Sequence, residues 1–276
     1  MYHTTADQVA IYYEVHGQSG TPLLMLTGMG GDIGDWLPEQ IEELSRRHQV
    51  ILVDNRGVGR SDKPTAPYSM GQFAADTIGV LNDLHLEQAH ILGGSLGGMI
   101  AQHVAVHYPA RVRSLILCCT AAVTLGHPAF VAPTQEVLMA LTKPPSGNRL
   151  QDLEDGWKLC FTPAFLEQKS ERLTRMRENA LAYPDSPPYV GKLQFEAILQ
   201  HNLYEPVSQL LCPTLIQVGT ADMLLPAENS RTLARLIPGA HLIEYPGLGH
   251  RFLEEGGEPV INDILAFLAE IDAVSF

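Results

Sequence analysis

Apolar residues fall along this chain in two rhythms. The first is the short run that is apolar at nearly every position: LLML at residues 23–26, VILV at 50–53, HIL at 90–92 and LILCC at 115–119. Such runs suit parallel strands covered on both faces. The second is helical. Trp36, Leu37, Ile41 and Leu44 share one side of residues 36–44, residues 73–84 read as a second helix, and Ile100 and Val104 carry a third until Pro109 stops it. Residues 9–15 are β-rich and end at His16-Gly17, which predicts an edge hairpin with the first residues. After residue 205 the alternation returns, with strands over 214–218 and 241–245, a helix over 230–236 and a terminal helix over 259–271. Strands alternating with helices at this spacing predict βαβ units and a mostly parallel sheet with helices on both faces, an α/β class.

Residues 126–205 break the rhythm. They are rich in proline, carry scattered aromatics and a helical patch over 165–181, and show no clear strand. The expected organisation is a core of residues 1–125 and 206–276 with 126–205 inserted as a helical cap over the sheet. There is no internal repeat and no low-complexity tract.

Composition narrows the function classes. With 45% apolar and 18% charged residues, the 276-residue chain is that of an ordinary globular protein. Its net charge of −13 argues against nucleic acid and anionic membrane as partners. The first residues, MYHTTADQVAIYYEV, lack a basic region followed by an apolar run, so a cytoplasmic location is expected. Cys118, Cys119, Cys160 and Cys212 have no metal-binding spacing and read as buried reduced thiols.

Candidate chemistry centres on residues 90–99, HILGGSLGGM. Gly93-Gly94-Ser95-Leu96-Gly97 is G-x-S-x-G at the end of a strand and the start of a helix, the pattern of a nucleophile elbow. Glycines are needed there because side chains would collide with the neighbouring strand or helix. The dinucleotide fingerprint G-x-G-x-x-G fails, since Ser95 stands where its second glycine belongs. Asp222 lies just past the strand at 214–218, and His250 just past the strand at 241–245. In a parallel sheet such positions share one edge, outside the carboxyl ends of the strands. Ser95, Asp222 and His250 therefore converge, in the order Ser, Asp, His. A serine hydroxyl needs a base to take its proton, and a histidine needs a carboxylate to fix its tautomer. The helix start offers the Leu96 N–H to charge developing on a substrate. The glycine-rich loop Thr27-Gly28-Met29-Gly30-Gly31 lets backbone N–H groups approach a ligand.

The chain resembles the α/β-hydrolase superfamily along nearly its whole length. The resemblance is carried by Thr27-Gly28-Met29-Gly30, by Asp54-x-Arg56-Gly57-x-Gly59-x-Ser61-Asp62, by the G-x-S-x-G at Ser95, by Gly219-x-x-Asp222-x-x-x-Pro226 and by Gly249-His250. Within the superfamily it is most similar to small bacterial carboxylesterases, enol-lactonases and cofactor-free haloperoxidase-like hydrolases. The resemblance implies an eight-stranded sheet and a cap between strands six and seven. It also implies triad roles for Ser95, Asp222 and His250 and an oxyanion donor at the Met29 N–H. Many relatives have His-Gly where this chain has Thr27-Gly28.

Competing assignments are settled by context. Asp54 is the rival carboxylate, read as a structural partner of Arg56 or of turn N–H groups. Asp32 and Asp35 are expected to face solvent. His103 and His107 share a helix face without further ligands, and His85, His90, His201 and His241 read as solvated or structural, so no metal or cofactor is expected. Trp157, Phe161, Phe165 and Met176 either fill the cap's own core or line its underside. Trp157 and Phe161, with Leu224, are the candidate substrate contacts. The expected activity is serine hydrolysis of a small, largely apolar ester or lactone. The alternatives are C–C bond hydrolysis or perhydrolysis by the same triad, or a small-molecule receptor of this fold.

Overall fold

The computed structural model describes residues 1–274 apart from Ala6, Pro145 and Lys169. Eight strands form one sheet: β1 (Tyr2–Thr4), β2 (Ala10–His16), β3 (Pro22–Leu26), β4 (Gln49–Val53), β5 (Ala89–Gly94), β6 (Val112–Cys118), β7 (Thr214–Gly219) and β8 (His241–Tyr245). Their order is β1-β2-β4-β3-β5-β6-β7-β8. β1 and β2 form the antiparallel hairpin the sequence predicts, β2 pairs antiparallel with β4, and all remaining pairs are parallel.

Why the runs are apolar throughout is plain from the two faces. Successive side chains of β3 alternate: Leu24 and Leu26 pack with Ile51, Ile91 and Leu115 on one side. Leu23 and Met25 pack with Val50, Leu92 and Ile116 on the other. Helix α1 (Pro38–Ser45) lies on the second face, and α2 (Met70–Asp83) and α3 (Leu96–His107) cover the first. Helix starts differ from the apolar pattern where capping chemistry decides. Trp36 lies outside α1, because Pro38 at the first helical position sets its start. α2 begins at Met70, three residues before the apolar stripe, because Ser69 and Gln72 form a reciprocal capping box.

Between β6 and β7 the described residues form five α-helices: α4 (Gln135–Leu141), α5 (Arg149–Cys160), α6 (Pro163–Glu167), α7 (Glu171–Ala182) and α8 (Pro188–Leu199). The helical patch over 165–181 is thus two helices, and Ser170 restarts the second by accepting the Leu173 N–H. Leu37, Trp157, Phe161, Phe165, Leu173 and Met176 make a small core of their own beneath α5. The chain closes with α9 (Glu228–Leu236), α10 (Phe252–Gly256) and α11 (Glu258–Ala273). Gly257, at φ 64°, divides the last two. No helix among the described residues is long and apolar enough to cross a membrane.

Candidate active site

β5 ends at Gly94 and α3 begins at Leu96, so Ser95 alone makes the turn. It does so at φ 54° and ψ −118°, and its hydroxyl makes no capping bond. A non-glycine residue held there stores about 1–3 kcal/mol. The surrounding backbone leaves no space for other side chains. A Cβ on Gly93 would collide with the Gly97 carbonyl, and one on Gly97 with that of Leu26. The Ser95 N–H donates to the Cys118 carbonyl at 2.9 Å, which ties the turn to β6. The loop after β3 crosses above it: a Cβ on Gly28 would stand 3.3 Å from the serine Cβ.

That loop is braced from both ends. The Thr27 hydroxyl donates to the Gly31 carbonyl at 2.8 Å. The Gly30 N–H donates to Gln194 Oε1 at 2.8 Å, and Gln194 is fully buried on α8. Nothing in the sequence flags Gln194, a single amide in an apolar helix. The Thr27-Gly28 departure has its physical account here, since the threonine hydroxyl closes the loop from within.

The turns after β7 and β8 are packed backbone on backbone, and a Cβ on Gly219 would strike the Leu248 and Gly249 carbonyls. This approach brings Asp222 and His250 together. His250 Nδ1 lies 2.7 Å from Asp222 Oδ2. Asp222 Oδ1 accepts the N–H groups of Leu224 and Leu225, each at 2.9 Å. Both side chains are buried. Burial works against a charged imidazole, but the Asp222 carboxylate outweighs it and holds the His250 pKa well above its usual value.

Cys119, read from sequence only as a buried thiol, belongs to this group. Its Sγ, a His250 ring nitrogen and an Asp222 oxygen lie within 4.8 Å of one another. Burial pushes the thiol up to about 11, so it is protonated at neutral pH. A histidine, a thiol and a carboxylate are also a ligand set for a soft metal ion, although here the histidine nitrogen facing Asp222 is already bonded.

Ser95, His250, Met29, Cys119 and Leu224 line one cavity of about 360 Å³, in the size range of small-molecule sites. Its walls are mainly apolar, with Phe130, Leu138, Leu159, Phe195 and Ile198 among them. Trp157 and Phe161 are not on them, which corrects the candidate contacts. Both pack edge-on, with ring centroids 5.8 Å apart, in the small core with Phe165 and Met176. Trp157 on α5 and Phe161, the residue that ends it, are one turn apart on its inner side, whereas Gly156, Leu159 and Cys160 face the cavity.

Two carboxylates expected in solvent are also placed otherwise. Asp35 Oδ1 accepts from Arg251 Nη1 at 2.9 Å on the cavity wall, and the same guanidinium donates to Glu254 at 2.6 Å. Asp32 caps the Gly34 N–H, and burial, then the charges of Asp35 and Asp54, push its carboxyl up to about 7. Asp54 accepts the Ile33 N–H at 2.7 Å and the Arg60 N–H at 2.8 Å. It is a loop brace and does not pair with Arg56, which forks onto Asp76 with two bonds of 2.7 Å. His90 is fully buried, not solvated.

A family model described as the alpha/beta hydrolase fold matches residues 21–257. The chain is 32% identical, over 95% of its own length and 96% of the relative's, to a protein of Azorhizobium caulinodans named carbamate hydrolase RutD. It is 29% identical, over 84% of each, to 3-oxoadipate enol-lactonase 2 of Acinetobacter baylyi. Among solved structures, a thermophilic esterase from Thermogutta terrifontis superposes with a TM-score of 0.81 at 26% identity, covering 98% of each chain.

Proposed function

The chain belongs to the α/β-hydrolase fold family, and from that premise we propose that it is a serine hydrolase cleaving a small, largely apolar carboxylic ester or lactone. The observation that carries this reading is the 2.7 Å bond between His250 Nδ1 and Asp222, buried beside the cavity onto which Ser95 turns. In the proposed reaction Ser95 Oγ attacks the substrate carbonyl carbon while His250 Nε2 takes its proton. Asp222 keeps Nδ1 protonated and stabilises the imidazolium. The N–H groups of Met29 and Leu96 receive the negative charge on the carbonyl oxygen. Collapse expels the alcohol, protonated by His250, and leaves an acyl group on Ser95. Water, deprotonated by His250, then releases the acid. The sequence needs only the protein's own side chains and water.

The cavity wall supports the substrate class. Its guanidinium, Arg251, is already bonded to Asp35 and Glu254, so it offers no free cation to a substrate carboxylate. The apolar residues around it suit an uncharged acyl group. The esterase and the enol-lactonase among the similar proteins are consistent with ester or lactone chemistry, and the cell interior is the proposed setting.

A fluorophosphonate probe tests the assignment. Ser95 is the residue expected to carry the phosphonyl group by peptide mass spectrometry, and Ser95→Ala to remain unlabelled. Continuous turnover of short acyl esters separates an enzyme from a ligand receptor. Labelling at another serine, or a single slow turnover, refutes the proposal.

A further inference from the structure

At the edge of the sheet opposite Ser95, three groups from distant parts of the chain meet. His90 lies at the start of β5, His48 just before β4, and Asp272 in the last turn of α11. His90 Nε2 is 3.2 Å from Asp272 Oδ1, and His48 Nδ1 is 3.9 Å from Asp272 Oδ2. One donor atom from each lies within 4.8 Å of the other two. His48 is 3% exposed and His90 0%.

The unusual atom is His48 Nδ1. It is buried and has no hydrogen-bond partner among the described residues. Across 3.9 Å it faces Asp272 Oδ2, too far for a direct hydrogen bond. A buried ring nitrogen and a carboxylate oxygen that face one gap are both satisfied by a positive centre between them. His90 Nε2 is hydrogen-bonded to Asp272 Oδ1 at 3.2 Å and its Nδ1 to Ser114 Oγ at 2.7 Å; in the tautomer that donates Nδ1–H to the hydroxyl, Nε2 offers its lone pair to an ion. A second bond of this kind is what orients metal-ligating histidines.

We propose that His48, His90 and Asp272 form a binding site for a divalent, borderline-soft metal ion, with zinc as the type. Two imidazoles and a carboxylate are the donor set zinc takes, with a water filling a fourth position. Tetrahedral bonds of about 2.0–2.1 Å put ligand atoms roughly 3.3 Å apart, against 3.2 and 3.9 Å for the two histidine–carboxylate approaches and no more than 4.8 Å between any two of the three donor atoms. Among the described residues, Arg113 is the guanidinium on the carboxylate, with Nε 2.9 Å from Asp272 Oδ1. It holds Oδ1 and leaves Oδ2 for the ion. Because Asp272 ends the last helix and both histidines enter the sheet, the ion clasps α11 to the strands. Its effect is on stability and not on turnover.

The test is zinc binding to chelator-treated full-length protein. Calorimetry is expected to give one saturable site. At free zinc a hundredfold above Kd, Tm is expected to rise by about 5 °C or more. His48→Gln and Asp272→Asn each weaken binding at least tenfold and abolish the shift, with ester hydrolysis per folded molecule unchanged. On the parent protein, imidazole ¹⁵N resonances of His48 and His90 move with zinc and those of His250 do not, a readout that survives if a variant misfolds. Absence of saturable binding, or undiminished binding in both variants, overturns the proposal. So does binding that inhibits hydrolysis and vanishes in Cys119→Ala, which places the ion at the Cys119–Asp222–His250 trio instead.

Discussion

Replacing Asp222 by Asn removes one charge and one acceptor from a side chain that uses both oxygens. Oδ1 holds the Leu224 and Leu225 N–H groups at 2.9 Å, and Oδ2 holds His250 Nδ1 at 2.7 Å. The amide has a single oxygen. Two backbone donors outcompete one ring nitrogen for it, so the NH₂ faces His250. Nδ1 must then accept, and the proton moves to Nε2, the nitrogen proposed to take the Ser95 proton. The base is lost although every atom keeps its place. A wrong tautomer of this kind costs about 10⁴-fold in kcat, which is roughly 5–6 kcal/mol of transition-state stabilisation. Folding loses much less: a charge-assisted bond becomes a neutral one, at about 1–3 kcal/mol. A Tm lowered by several degrees is expected. The assay is release of p-nitrophenol from a short acyl ester, with Tm measured on the same sample. Asp54→Asn is the control, because Asp54 braces two loop N–H groups and is expected to lower Tm while turnover per folded molecule stays within about tenfold. An Asp222→Asn protein that is folded and keeps a tenth of parental kcat refutes the tautomer argument, as does complete loss of activity in folded Asp54→Asn.

Three further outcomes follow from the same geometry. With the His250 pKa held above its ordinary value by Asp222, the ascending limb of kcat/KM is expected above about pH 6.5. The linked stability runs the other way, fully present below about 6.5 and lost as pH rises through the raised value, so activity climbs while Tm falls; parallel profiles would contradict the pairing. Gln194→Leu strands the Gly30 N–H and is expected to cost about 1–3 kcal/mol of stability and to lower kcat severalfold, with probe labelling of Ser95 retained; parental kcat would show that the brace is irrelevant to the loop. Leu159→Ala or Phe195→Ala, on the cavity wall, is expected to change the ratio of long- to short-chain ester rates by about tenfold or more. Trp157→Ala or Phe161→Ala, in the cap's own core, is expected to cost about 3–5 kcal/mol of stability and leave that ratio alone; the reverse pattern would relocate the pocket.

What the sequence made legible is what backbone geometry enforces. A sheet buried on both faces writes itself as unbroken apolar runs, so β3, β4 and β5 are found within a residue or two of their observed ends, and β6 begins three residues before its run. The G-x-S-x-G turn is legible because Gly93 and Gly97 touch backbone of the turn itself and of β3, and no other residue fits. Asp222 and His250 are legible as positions, since each follows a parallel strand and parallel strands end at one edge. The starts at Pro38 and Met70 depart from the apolar stripe because a proline at the first helical position fixes the one and the Ser69–Gln72 capping box fixes the other.

What remained hidden depends on which of several faces a side chain takes. Trp157 and Phe161 have the chemistry of pocket residues, and an amphipathic helix seen alone does not say which apolar stripe meets the sheet and which meets its neighbours. The answer came from α7, whose Leu173 and Met176 claim that stripe and leave Leu159 to the cavity. The same holds for polar groups buried by distant partners. Asp35 looks like a loop carboxylate until Arg251 arrives from 216 residues away, and Gln194 looks like a neutral helix residue until Gly30 is found 164 residues upstream. His48, His90 and Asp272 follow this rule most strongly, because no local spacing relates them and only closure of the last helix on the sheet makes them neighbours. Catalytic groups in this fold are therefore announced by the strands that carry them. Groups that tune the pocket or clasp the fold are defined by tertiary closure, and they are where substitutions will separate specificity and stability from the proposed chemistry.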